Sequence, residues 1–226
     1  MAETAKFVTP KGELRWVTIT GEGKENMSGK KQYVASLVCN PSDPKVVEFQ
    51  KSIQDFWEEN RPAGKKVPKS TGIYFANPKR DEAGQPIKDD NDKVVYDEEG
   101  DISISVHTGV AFPDGSPKKV KVYNAKAKEV NLGNIRIGNG SIGYISGAMG
   151  IYETKDPKGK TIDAGVTLYL DNIQIVKLVE FTQDSGFAAD EEAEDGWTGE
   201  EGWEGEVAEA TEEPTKTTVK SGGPRL

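Results

Sequence analysis

Most of the apolar side chains in this chain follow a period of two. From Ile102 to Phe112 the even positions include Ile102, Ile104, Val106, Val110 and Phe112, and the odd ones are Ser103, Ser105, His107, Gly109 and Ala111. One apolar face at that period predicts a half-buried strand. Val120 and Val122 then point inward, while Lys119, Lys121 and Tyr123 share the opposite face. Gly138-Asn139-Gly140 is a turn signal. Beyond it Ser141–Tyr152 alternates again, with Ile145, Met149 and Ile151 on one side and Tyr144 and Tyr152 on the other. Glycines at 143, 147 and 150 keep that strand bare and bendable, as a strongly coiled barrel strand requires. Val166, Leu168 and Leu170 share one parity and Ile173 and Ile175 the other, so a bulge is expected at Asp171-Asn172. Glu13–Thr20 and Gln32–Cys39 read as two further strands, and Ile73-Tyr74-Phe75 as a short one.

One segment breaks this pattern. Between Asn40-Pro41 and Pro62, the residues Val46, Phe49, Ile53, Phe56 and Trp57 recur at three- and four-residue steps. That spacing predicts a helix over about 43–60 with one apolar stripe packed on a sheet. Ser42 or Asp43 can cap it, and Pro44 suits its first turn. The predicted fold is therefore mainly β, a small closed or partly closed Greek-key barrel with one helix. A sandwich would give a similar pattern. Asp81–Asp101, with nine acids and two lysines, reads as a turn-rich surface excursion.

Charge divides the chain in two. Residues 1–189 hold 26 basic and 26 acidic side chains. The stretch 190–213 holds twelve acids and no Lys or Arg: Asp190, Glu191, Glu192, Glu194, Asp195, Glu200, Glu201, Glu204, Glu206, Glu209, Glu212 and Glu213. Trp197 and Trp203 lie among them. Like charges repel, stay unfolded and serve as interaction arms. The expected organisation is a folded domain over 1–187 and a disordered acidic tail over 188–226.

Several classes of chemistry lack the residues they need. Cys39 is alone and His107 is the only histidine, which excludes a disulfide framework and most histidine-based triads and metal clusters. There is no phosphate-cradling glycine loop. No cofactor, metal or catalytic residue is expected. No stretch approaches the roughly 20 apolar residues of a bilayer span, so no membrane partner is expected. Met1–Lys11 shows no apolar signal core, which fits a cytoplasmic setting.

Polyanion binding is better served. Residues 102–160 carry nine bases against four acids, so the neutral body has a positive region. Lys118, Lys119, Lys121, Lys126, Lys128 and Arg136 lie among or beside the outward Tyr123, Tyr144 and Tyr152, and Lys30, Lys31 and Tyr33 form a second set. Cations neutralise phosphates and release counterions. Exposed rings stack on unpaired bases, a face that a duplex hides. The mixture favours single strands.

Three segments carry a resemblance to a known family. They are Gln32-Tyr33-Val34-Ala35-Ser36-Leu37 leading through Asn40-Pro41 into the helix, Gly138-Asn139-Gly140-Ser141 with the strand ending at Tyr152, and Gly165-Val166-Thr167-Leu168 through Val179-Glu180-Phe181 to Gly186-Phe187. In their order and spacing, along most of 14–203 with gaps, the chain resembles bacteriophage replication single-stranded DNA-binding proteins. The resemblance implies an OB-fold body with an acidic C-terminal tail and cooperative coating of single strands without sequence preference. It implies that Lys30 and Tyr152 contact DNA. Where such proteins carry lysines, this chain has Tyr144 and Ser146, which shifts the expected balance from charge toward stacking. The tail differs too, ending in Thr215–Leu226 with Lys216, Lys220 and Arg225 rather than in acids and an aromatic.

The expected function is sequence-independent coating of single-stranded DNA in phage replication, recombination or repair, in the cytoplasm of the infected host, by a monomer or homodimer. The tail would modulate DNA binding and recruit a polymerase, a helicase/primase or recombination proteins. The alternatives are an assembly or interaction β-domain with an acidic partner-binding arm, and an enzyme on DNA using a metal held by the 81–101 carboxylates.

Overall fold

The computed structural model describes residues 4–181. The predicted tail over 188–226, with its acids and both of its tryptophans, lies outside the described residues. In chain order the elements are β1 (Thr4–Val8), β2 (Gly12–Thr18), β3 (Lys24–Glu25), β4 (Lys31–Cys39), α1 (Pro44–Asn60) and β5 (Ile73–Phe75). They continue with β6 (Ile102–Gly109), β7 (Lys121–Tyr123), β8 (Glu129–Val130), β9 (Ser141–Lys155) and β10 (Thr161–Lys177).

Five of these strands make a ring: β2 pairs with β4, β4 with β6, β6 with β10, β10 with β9, and β9 with β2. Counted in chain order, the ring runs first, second, third, fifth, fourth, and its third and fifth members are parallel. This is the partly open, five-stranded Greek-key arrangement of an OB-fold. Closure between β6 and β10 rests on one residue pair, His107 with Tyr169. Beside that pair the segment before β5 fills the gap. Lys69 N donates to Ala164 O at 2.8 Å, Val166 N to Ser70 O at 2.9 Å, and Ser105 N to Gly72 O at 2.8 Å.

The helix forms as its sequence dictates. Asp43 caps it, accepting from Lys45 N at 2.8 Å, and Pro44 opens the first turn. Val46, Phe49, Ile53, Phe56 and Trp57 are all buried. Each such side chain contributes about 1.5–3 kcal/mol of transfer free energy. Phe49 meets Phe7 of β1 at a ring separation of 5.7 Å. Cys39 joins this core, and burial pushes its thiol up to about 11.

The two longest strands, β9 and β10, pair from Lys155–Thr161 to Ile142–Lys177. Ile145 and Met149 face inward with Val166, Leu168, Leu170 and Ile173. The register slips between Leu170 and Asn172, where the change of apolar parity predicts a bulge. The bare glycines of β9 have a steric cause. A Cβ on Gly147 would stand 1.7 Å from Tyr169 O, and one on Gly143 2.2 Å from Gln174 O. Only a strand without side chains there lets β10 coil so closely.

Five turns share one build. Asn26, Asp81, Asp89, Asn124 and Asp156 each accept two backbone N–H bonds from residues two and four positions ahead. Two of these turns fold the acidic excursion back on itself. Ile87 N donates to Lys79 O and Val95 N to Ile87 O, each at 2.9 Å. The carboxylates of Asp81 and Asp89 thus serve their own backbone.

Gly147→Ala is expected to lower stability by about 1–3 kcal/mol or more through backbone overpacking. Thermal denaturation checks this, and an unchanged melting temperature would show that β10 does not cross β9 so tightly.

Candidate nucleic-acid interface

Inward side chains on β9 and β10 leave the alternate residues facing out. Strand pairing sets them in rows: Tyr152 with Gly165, Gly150 with Thr167, Ala148 with Tyr169, Ser146 with Asn172, and Tyr144 with Gln174. β7 extends the last two, setting Lys121 beside Asn172 and Tyr123 beside Gln174. The outward surface of β9, β10 and β7 therefore carries four tyrosines: Tyr152, Tyr169, Tyr144 and Tyr123. Along β9 their rows stand at 152, 148 and 144, or about 13 Å apart at ~3.3 Å per residue.

Each ring has a reason for its position. A Cβ on Gly165 would lie 2.8 Å from the Tyr152 ring, and one on Gly150 2.9 Å from the Tyr169 ring. Both tyrosines thus lie against a neighbouring strand's glycine and cover its bare backbone. Tyr169 also meets His107 edge-on at 6.2 Å. Burial lowers the His107 pKa, so that imidazole is neutral at pH 7. Burial, and after it the nearby Tyr74, raises the Tyr152 pKa, so its phenol stays protonated. Tyr74 hydrogen-bonds Ser70 at 2.8 Å through its hydroxyl. At the other end Tyr123 and Tyr144 line a trough of about 280 Å³ with Val8, Ser146, Asn172 and Gln174. Asn172 Nδ2 donates to Ser146 Oγ at 3.1 Å, and Gln174 Nε2 to Asn124 O at 3.1 Å.

Lysines flank the row, several of them held by exchangeable carboxylates. The β10 bulge lifts Asp171 between Lys6 at 3.1 Å and Lys118 at 3.5 Å. Lys121 pairs with Glu129 at 3.1 Å, and Lys69 with Asp163 beside Tyr152. Exposed pairs such as Lys121–Glu129 are worth about 0–1 kcal/mol, little enough for a phosphate to displace the carboxylate, whereas Lys118 is half-buried and also donates to Thr108 Oγ1 at 2.7 Å. Lys126 and Lys128 sit in the exposed turn after Tyr123, with no ion pair to a described residue.

The sequence-derived candidates separate into four places. Tyr123, Tyr144 and Lys121 come together at the trough, and Lys119 is exposed two residues before Lys121. Tyr152 lies at the far end of the row, near Tyr74 and Lys69. Lys30 and Lys31 stand at the rim where β4 begins, beside Gly109 and Val110, and Lys31 also pairs with Glu22. Arg136 lines a separate trough with Trp16 and Phe181.

Tyr33 requires correction as a DNA contact. It faces the core with 9 % of its surface exposed, and its hydroxyl donates to Gly21 O at 3.2 Å. Its parity in β4 matches Ala35 and Leu37, both buried. A flanking lysine pair does not turn a ring outward.

Several residues of the candidate surface are not marked by the sequence pattern. Tyr169 is the exception, with the outward parity of β10 between Leu168 and Leu170. Lys6, His107 and Tyr74 reach the surface only through pairings that the sequence does not display. Trp16 is the largest omission. It is 67 % exposed, with φ +55°. The extra β2 residue between Arg15 and Thr18 places it in a bulge, and its N–H donates to Asn139 Oδ1 at 3.0 Å. A non-glycine residue pays about 1–2 kcal/mol for that left-handed backbone.

No family model matches the chain, and no curated protein matches it. Among solved structures, the crystal structure of the single-stranded DNA-binding protein gp2.5 encoded by bacteriophage T7 aligns with a TM-score of 0.52 and 19 % identity, covering 86 % of this chain and 98 % of that one. A C-terminally truncated single-stranded DNA-binding protein from bacteriophage Enc34 aligns with a TM-score of 0.47 and 12 % identity, covering 78 % and 88 %. The T7 protein and this chain share a fold.

Tyr33→Ala is expected to cost about 3–5 kcal/mol of stability, as loss of a buried aromatic does. Tyr33→Phe is expected to melt within a few degrees of the parent and to leave oligonucleotide affinity unchanged. A Tyr33→Phe variant that folds normally but binds DNA poorly would return this residue to the interface.

Proposed function

We propose that this protein binds single-stranded DNA, without catalysis and without sequence preference, on the outward face of β9, β10 and β7. The observation that carries this reading is the four-tyrosine row with lysines at its flanks. Ring faces at intervals of about 13 Å offer stacking to unpaired bases, worth roughly 1–3 kcal/mol per base whatever the base. Lysines that exchange a surface carboxylate for a phosphate supply affinity that declines with salt. Asn172 and Gln174 lie between the tyrosines and can donate to base or phosphate oxygens. A duplex keeps its bases stacked on one another, so the row favours an open strand. Shared fold with a protein described as binding single-stranded DNA supports the same reading.

The acidic stretch 190–213 acts in this scheme as a tethered competitor for the lysines. Its twelve acids carry the charge type of the ligand at a high local concentration. Once DNA occupies the face, the arm, with Trp197 and Trp203, is free to engage proteins of replication, recombination or repair. The setting is the cytoplasm of a phage-infected bacterium. The chain acts as a coat on exposed strands, alone or as a dimer.

Fluorescence anisotropy with labelled oligothymidine tests the binding claim. The expected result is affinity for single over double strands, with log affinity falling linearly as log salt rises. Tyr144→Ala and Tyr169→Ala are each expected to weaken binding by about 5- to 150-fold, equivalent to ~1–3 kcal/mol. Both should melt near the parent. No binding to oligothymidine at low salt would remove the proposal. Replacing the twelve tail acids by their amides is expected to tighten binding below about 0.1 M salt, with the gain fading as screening grows. Equal affinities at every salt concentration would remove the competitor role and leave the interface intact.

A further inference from the structure

Trp16 combines three properties that packing does not explain. It is a large aromatic, it is mostly exposed, and its backbone sits in the left-handed region where glycine is the residue without strain. A strained backbone persists where its surroundings hold it, and here Asn139 holds the Trp16 N–H. The bulge takes Trp16 out of the alternation of β2.

What surrounds Trp16 is also specific. The segment 136–138 pairs with 179–181, through Phe181 N to Arg136 O at 2.9 Å and Gly138 N to Val179 O at 2.8 Å. That pairing places Arg136, Ile135 and an exposed Phe181 around the indole, in a trough of about 470 Å³. Arg136 is exposed and has no ion pair with a described residue. Two aromatic faces with one unanswered guanidinium are the parts needed to hold a base and its phosphate.

The trough adjoins the strand that carries the tyrosine row. Asn139, which anchors Trp16, stands two residues before β9 begins at Ser141, and Tyr144 follows on that strand. We infer that the Trp16–Arg136 trough is a further nucleotide subsite at the β2 end of the single-strand track, with Trp16 stacking on a base and Arg136 meeting its phosphate. This inference rests on the single-strand reading of the row.

The test uses the full chain with Trp197→Phe and Trp203→Phe, which leaves the exposed Trp16 and the buried Trp57 as the emitting tryptophans. Oligothymidine of about sixteen nucleotides, the upper end of sites on one OB-fold, is added while anisotropy and tryptophan emission are both read. The expected result is quenching of Trp16 emission in step with binding. Trp16→Gly relieves the backbone, so it should melt no lower than the parent, yet weaken binding about 5- to 150-fold. Trp16→Phe should retain most of the affinity. Arg136→Gln should reduce the slope of log affinity against log salt by about one.

Normal anisotropy with unchanged tryptophan emission and an undiminished Trp16→Gly affinity would overturn the subsite and leave the tyrosine row standing. Absence of any anisotropy change, with the tyrosine variants equally silent, would overturn the subsite and the single-strand reading together.

Discussion

Close backbone approach between β9 and β10 is the constraint from which the rest of this structure follows. Inward positions 143 and 147 carry no Cβ, and β10 carbonyls occupy the space a side chain would need. This lets the two longest strands pair along nearly their whole length while coiling around the core. Coiling closes the ring against β2 on one side and brings β10 to β6 on the other. The inner surface then fills with aliphatic side chains, and α1 presents its five buried residues to that core. The outer surface gets what the alternation leaves over, which on these strands is tyrosine, amide and small residues.

The same glycine economy operates in the opposite sense on the outside. Gly150 and Gly165 face outward, where water would meet bare backbone, and the rings of Tyr169 and Tyr152 lie across them. A ring already packed on backbone loses little rotamer freedom on stacking, so in the proposed role more of the stacking energy would appear as affinity. Charge takes the secondary part in this surface. Asp171, raised by the bulge, already pairs with Lys6 and Lys118. In the proposed complex a phosphate would replace that carboxylate, so the net electrostatic gain per contact would be smaller than for an unpaired lysine. This fits a chain with Tyr144 and Ser146 on the outward face of β9.

The acidic excursion between β5 and β6 shows how a suggestive composition can resolve into plain structure. Its carboxylates lie close in sequence and could be read as metal ligands. In the fold Asp81 and Asp89 receive backbone N–H groups at the two tight turns of a small meander. Burial does not explain this segment, since most of it is exposed. Its order comes from local hydrogen bonds, in the same turn that recurs at Asn26, Asn124 and Asp156.

The sequence by itself determined most features that depend on local period. The strands expected over 102–112 and 141–152 form as 102–109 and 141–155, with Phe112 beyond the first and exposed, and the capped helix with its apolar stripe and the slip at Asp171 are legible, because a period of two or 3.6 records which side of an element meets the core. Outward placement of Tyr123, Tyr144 and Tyr152 was legible for the same reason. Tertiary structure alone decided which outward residues share a surface. That depends on contacts between residues distant in the chain, which bring Lys6 to Asp171, 165 positions on, and Tyr169 to His107. It also decided the exceptions. Tyr33 turns inward although two lysines precede it, and Trp16 turns outward from a strand because one extra residue reverses the phase. A single inserted residue moves a side chain to the opposite face, and the partner strand that reveals the insertion is the one thing a linear pattern does not contain.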